Sequence, residues 1–330
     1  MGNADMSRLV AAAIAAGSFW YGTAGFAQSN PEALQWLQRI YTATDGLSYT
    51  GTFVYQHGDL VETSRITRIV DDTGVHERVE TLDGPPREII RNNDEVKCYY
   101  PHVSKVKIDS QRETKPFPSM RGDQLKDIAE QYHIRKGEIE RIAGYDCQAL
   151  ILEPKDNLRY GHKLWADVKT GMLVKAKTFN DKRELIEQFA FTQLQLGGRI
   201  DKDLVKSRFA DTGRAWRVEV SGVTPADLSK AGWSLKSLPP GYKKIAELRR
   251  NMGETRDVGH IVVSDGLAAI SVFIESLGPK TVKAQLGAMK QGVLNVYTRK
   301  FDNHLVTVVG EVPGESVRTI ADAIEYRPPS

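Results

Sequence analysis

Hydrophobic positions in this chain switch from helical to strand spacing within its first sixty residues, and strand spacing then dominates. Asn30-Pro31-Glu32 can open a helix, because Asn caps, Pro suits the first turn and Glu favours the positive N-terminal end. Leu34, Leu37, Ile40 and Tyr41 recur at helical spacing, with Trp36 beside them, until Asp45-Gly46 ends the run. From Leu47 the period is two: LSYTGTFVYQHG sets Leu47, Tyr49, Phe53 and Tyr55 on one face and Thr50, Thr52 and Gln56 on the other. Strand-like segments continue through LVETSRITRIV, GVHERVETL, PREIIRN, EVKCYYP and VSKVKID. The breaks carry turn chemistry, as at Asp72-Thr73-Gly74 and Asn92-Asn93-Asp94.

Ser110 to Gly122 reads as loop and Asp123 to Tyr132 as a short helix. Strands then resume through LIEQFAFTQLQL. Many antiparallel strands with two helices predict an α+β fold. Its first part is a large unclosed antiparallel β-barrel, with helices on its concave face, over residues 28–196. Gly197 to Arg214 turns charged and Gly-bearing and is the expected interdomain linker and hinge. Residues 215–330 have their own order, with strands at AELRRN, GHIVVSD, LAAISVFIE, VLNVYTRKF and LVTVVGEV. Pro313-Gly314-Glu315 then opens a terminal helix, SVRTIADAIEY, which makes this a smaller α+β domain.

Ahead of the first helix, Arg8 precedes the apolar run LVAAAIAAGSFWYGTAGF, which ends at Gly25-Phe26-Ala27. A weakly basic start, an apolar stretch and a small-residue end are the parts of a cleavable signal peptide over residues 1–27. No Cys follows to carry a lipid, so the expected product is soluble and periplasmic. With 41% hydrophobic and 26% charged residues the body is that of a folded chain. A formal net charge of +3 does not demand nucleic acid as a partner. Cys98 and Cys147 are the two cysteines. In an oxidising compartment they are expected to form one disulfide, the alternative being two buried thiols.

No phosphate loop, dinucleotide fingerprint, HExxH or GxSxG motif occurs, and none of the seven His is at metal-ligand spacing with another. No catalytic residue, metal or cofactor is therefore assigned, and the chain is not expected to be an enzyme. His57 and His304 fall in hairpin turns, where solvated side chains are expected. Phe53, Tyr55, Trp165, Phe179, Phe189 and Phe191 sit on strands of the first domain. Each alone reads as core, but together they could line an acyl-chain cavity. In the second domain Lys243, Lys244, Arg249 and Arg250 belong to a basic stretch that also includes Lys230, Lys236 and Arg256. It reads either as a solvated face or as a docking surface for an acidic partner.

Four blocks, in order, resemble the RseB/MucB family: LDGPPREIIRNNDEVKCYYP (Leu82 to Pro101), LPPGYKKIAELRR (Leu238 to Arg250), VSDGLAAISVFIE (Val263 to Glu275) and VTVVGEVPGESVRTIADAIE (Val306 to Glu325). The resemblance implies a periplasmic negative regulator of the envelope-stress sigma factor sigma-E. Its first domain would be similar to the lipoprotein carriers LolA and LolB. It would hold the periplasmic tail of a membrane anti-sigma factor of RseA/MucA type, shield it from proteolysis, and be released by lipopolysaccharide or another acyl lipid. The competing classes are a lipid or lipoprotein carrier and a hydrolase whose site is assembled from scattered residues. Self-association is left open.

Mature protein recovered from the periplasm is expected to begin at Gln28. N-terminal sequencing checks this, and full-length chain in the inner membrane still carrying Met1 or Met6 would contradict it.

Overall fold

A computed structural model describes residues 31–109, 125–210, 212–220, 222–251, 257–277 and 285–328. The leader expected over 1–27, the whole of the loop expected over 110–122, and Arg256 lie outside them. Helix α1 (Pro31–Gly46) is followed by β1 (Tyr49–His57), β2 (Leu60–Asp71), β3 (Gly74–Thr81), β4 (Glu88–Asn92), β5 (Glu95–Tyr100) and β6 (Lys105–Asp109). After α2 (Leu125–Gln131) come β7 (Tyr132–Ile142), β8 (Tyr145–Pro154), β9 (Gly161–Asp167), β10 (Leu173–Phe179) and β11 (Leu185–Leu196). Next are β12 (Arg217–Val220), β13 (Val223–Pro225), β14 (Trp233–Leu235), β15 (Lys243–Asn251), β16 (Asp257–Ser264) and β17 (Ala269–Ser276). Then β18 (Gly287–Gln291), β19 (Leu294–Phe301), β20 (His304–Gly310), α3 (Gly314–Asp322) and β21 (Ile324–Tyr326) follow.

The first twelve strands form one unclosed sheet in the order β12-β6-β5-β4-β3-β2-β1-β11-β10-β9-β8-β7. Its central step is the pairing of β1 with β11, which sets Tyr49 opposite Leu196 and Tyr55 opposite Phe189. Gly51 permits this pairing, since a Cβ there would stand 2.6 Å from the Gln193 carbonyl and 2.8 Å from the Phe191 ring. At the β7–β10 end both faces are buried. Leu150, Leu152, Leu164 and Ala166 pack under Leu37 and Ile40 of α1 and Ile128 of α2. Ala149 and Trp165, one residue out of phase, belong to a second cluster with Tyr49 and Phe191.

A seven-stranded sheet in the order β13-β15-β16-β17-β20-β19-β18 forms the smaller domain. Val317, Ile320 and Ala321 of α3 pack on Val263, Val272, Val306 and Val308 of it. The terminal helix is shorter than expected. Ile324–Tyr326 leave it and pair with Trp233–Leu235, which sets the Tyr326 ring against Trp233 at 4.4 Å, tilted by 32°.

The connecting segment follows the first sheet rather than bridging freely. Ser207 Oγ donates to Glu88 Oε2 at 2.5 Å, and the Arg208 amide donates to the same oxygen at 3.2 Å. Glu88 is 1% exposed and also accepts from Arg78 Nε at 2.6 Å. Phe209 and Trp216 cover Ile90, Tyr99 and Val106, and β12 then adds in parallel to β6. Residues 215–220, which composition groups with the second domain, thus extend the first sheet.

The expected disulfide is absent: Cys98 and Cys147 are both free. Cys98 is on β5 and Cys147 on β8, and seven strands lie between those two in the sheet. At ~4.7–4.9 Å per strand step no bridge can form. Burial raises both thiols and pushes Cys147 up to about 12, so neither is a ready nucleophile.

Glu88→Ala would take from buried Arg78 the closer of its two carboxylates, leaving only Glu80 at 3.2 Å, and would unfasten the connecting segment from Ser207 and Arg208. Denaturant unfolding is expected to show a loss of about 3–5 kcal/mol, with faster proteolysis near Arg208.

Candidate functional site at the domain seam

The long β8–β9 connection and the β16–β17 turn build the junction of the two sheets. In the first, Leu158 and Tyr160 flank Arg159, whose side chain is fully buried. Arg159 Nε lies 3.2 Å from Asp265 Oδ2, and Tyr132 O–H donates to the same oxygen at 3.1 Å. Asp265 Oδ1 meanwhile accepts the amides of Leu267 and Ala268 at 3.0 and 2.9 Å, which shapes the turn. Leu267 is thereby placed in the first domain's core beside Leu37 and Ile128. Arg159 also pairs with Asp156, donates to the Pro240 carbonyl and lies over the Tyr242 ring at 4.8 Å. Tyr242 and Ser316 both donate to the Leu158 carbonyl, at 2.8 and 2.6 Å. Gly241 sits at φ +80°, and a Cβ there would meet Gln131 of α2 at 2.6 Å. The two domains approach too closely for any other residue.

A second contact lies at the β1–β2 hairpin. Tyr55 O–H donates to Glu187 Oε1 at 2.9 Å, and Glu187 hydrogen bonds Glu311 from the end of β20. His57 Nε2 is 2.9 Å from Glu311 Oε1, off the axis of a hydrogen bond. Burial first, and Glu311 second, push Glu187 up to about 8. Between the two contacts a cavity of about 840 Å³ is walled by both domains, with Ile151, Tyr160, His162 and Phe179 on one side and Lys290 and Pro313 on the other. Burial holds His162 down to about 4, so its ring is neutral in the cavity wall.

The six aromatic candidates divide. Phe53, Phe189 and Phe191 pack on one another, with ring centroids 5.1–6.0 Å apart, and Trp165 belongs to the same cluster. Tyr55 is instead held at the Glu187 contact, stacked on His57 at 6.1 Å. Phe179 alone of the six lines the seam cavity. The four basic candidates divide as well. Lys243 reaches across the seam to Asp127 of α2 at 2.5 Å, and Lys244 pairs with Glu247. Arg249 is exposed, whereas Arg250 Nε donates to His260 Nδ1 at 2.8 Å. That bond requires an unprotonated Nδ1, and burial with the Arg250 charge lowers His260 to about 4. Six strand residues separate the ends of this set, roughly 20 Å, so the four charges do not converge.

His57 and His304 are not the solvated turn residues expected. His57 is at the carboxyl pair, and the His304 ring lies 5.1 Å from both Trp233 and Tyr326. Sequence reasoning passed over Arg159, Asp265, Glu187 and Glu311. A signal existed for the first, since Leu158 and Tyr160 are out of place in a polar loop.

The architecture is that of a two-domain protein whose unclosed sheet is locked to a smaller sheet domain, with no group of metal-ligating side chains among the described residues. The MucB/RseB N-terminal domain family matches residues 32–209 and the MucB/RseB C-terminal domain family residues 227–325. The chain belongs to the MucB/RseB family. It is 32% identical over 299 residues to the sigma factor AlgU regulatory protein MucB of Pseudomonas aeruginosa, covering 89% of this chain and 90% of that protein. It is 22% identical to the sigma-E factor regulatory protein RseB of Escherichia coli strain K12, over 91% of this chain and 92% of that one. The structure of the P. aeruginosa MucA/MucB complex superposes with a TM-score of 0.69 at 29% identity, over 91% of this chain and 99% of the matched chain.

Arg159→Ala would strand Asp265 in the seam. Scanning calorimetry is expected to show about 3–5 kcal/mol lost from the docked state and two separate transitions in place of one.

Proposed function

We propose that this chain is a periplasmic regulator that binds the periplasmic region of a membrane anti-sigma factor of RseA/MucA type. Bound there, it shields the anti-sigma factor from regulated proteolysis and keeps sigma-E-type activity low. The observation that supports this reading is the match across both domains to MucB, which has been solved in complex with MucA. The reading calls for a binding surface and no catalytic group, and no cofactor enters it.

Lipopolysaccharide or another acyl lipid is the proposed releasing signal. The seam cavity offers room for this: Ile151, Leu152, Tyr160 and Phe179 form its apolar part, Lys163, Lys182, Arg183 and Lys290 are among the charged side chains that line the rest, and both domains contribute to it. A ligand that prefers one arrangement of the domains must change partner affinity by its own differential affinity. Typical coupling of ~1–3 kcal/mol corresponds to about 5–150-fold.

Lys244 and Arg249 are the proposed partner contacts of the basic set, both being exposed on β15. Rim charges act mainly on association rate. Lys244→Glu with Arg249→Glu is expected to weaken binding of the anti-sigma periplasmic region on the order of tenfold at low salt, and less at high salt. Surface plasmon resonance measures it. Unchanged association in the double variant would return the basic stretch to a solvated face, and no binding by the parent protein would remove the functional reading itself.

A further inference from the structure

The Glu187–Glu311 contact is built from two acids, one from each domain. Neither has a lysine or arginine as a hydrogen-bonding partner among the described residues. Glu187 lies on β11 with 4% of its surface exposed, and Glu311 follows β20 in the smaller sheet. The groups facing them are Tyr55 and His57 from β1, Glu62 from β2, Tyr160 from the β8–β9 connection and Asp181 from the β10–β11 turn. Of these only His57 can carry positive charge, and it addresses Glu311 rather than Glu187. Tyr55 already donates its proton to Glu187 Oε1. The hydrogen bond between the carboxyls therefore needs a proton of its own, carried on Glu187 and donated to Glu311. Ionising both would set two carboxylates together in a buried seam.

We propose that this pair is a proton-operated latch between the two domains, closed when one proton is shared and loosened when it leaves. The Arg159–Asp265 contact at the other side of the cavity pairs opposite charges and keeps the domains attached. Loosening then takes the form of a swing about that contact, at the edge formed by the His57-Gly58 hairpin tip and Val293, which meet closely at Gly58. The sign follows from linkage. The closed form holds its proton to about pH 8, whereas a Glu freed from the seam titrates near 4.5. The closed form thus binds more protons across that window. Its advantage is greatest below about 4.5, falls as pH rises to about 8, and is level beyond.

The inference concerns the free protein and stands or falls separately from anti-sigma binding. The test is hydrogen exchange of residues 57–60 and 309–313 in the mature full-length protein between about pH 5 and 9, corrected for intrinsic exchange, with small-angle scattering on the same samples. The open-to-closed ratio is expected to rise by up to about tenfold per pH unit within the window. Glu187→Gln keeps a donor toward Glu311 but has no proton to lose, so its profile is expected to be flat and closed. Glu311→Gln, at a side chain 34% exposed, serves if the buried substitution impairs folding: it removes the like charge but leaves Glu187 buried and ionisable, so its pH dependence is expected to span a narrower window than the parent's. A parent profile without pH dependence overturns the latch, and so does a Glu187→Gln variant that keeps the parent slope or a Glu311→Gln variant whose window is unchanged.

Discussion

Arg159 is the charge around which the two domains are arranged. A guanidinium with no exposed surface is tolerable only if its charge and donors are met, and here its terminal nitrogens bond Asp156 and the Pro240 carbonyl, Asp265 lies 3.2 Å from Nε as an ion pair off the axis of a hydrogen bond, and the Tyr242 ring covers its face. Two of the four come from residues 240–242 and one from the β16–β17 turn, so satisfying Arg159 requires the second domain in place. Asp265 is at the same time the residue that shapes its own turn and sends Leu267 into the first domain's core. Planar donors in a fixed fork suit this role, and a lysine could not address so many directions at once.

The two ends of the seam differ in chemistry. Opposite charges meet at Arg159, while like charges meet at Glu187 and Glu311. The first is an attraction between unlike charges, and the second brings two acids of the same sign together with burial raising Glu187. A cavity of about 840 Å³ lies between them, so whatever fills it acts on a junction with one firm and one adjustable side.

The connecting segment makes the first sheet part of the same mechanical unit. Ser207 and Arg208 are tied to the buried Glu88, Phe209 and Trp216 complete a small core, and β12 finishes the sheet edge. Only the short stretch from Val220 to Val223 then separates the two sheets, which is little chain for a free hinge.

Strand positions were legible in the sequence because period-two alternation and turn residues are local. Tyr49–His57, Leu60–Asp71 and Leu185–Leu196 form where alternation places them, and Asp72-Thr73-Gly74 turns the chain as its residue types require. Family membership was legible for the same reason, from four blocks of ordered residues. Tertiary structure alone decided what those strands meet. Pairing β1 with β11 joins residues well over a hundred positions apart, and it puts seven strands between Cys98 and Cys147. No local signal carries that information, since backbone hydrogen bonds are alike in every strand. The same holds for Arg159 with Asp265 and for Glu187 with Glu311. Each residue is an ordinary polar side chain in its own segment, and only desolvation at the docked seam gives it a distinct chemistry.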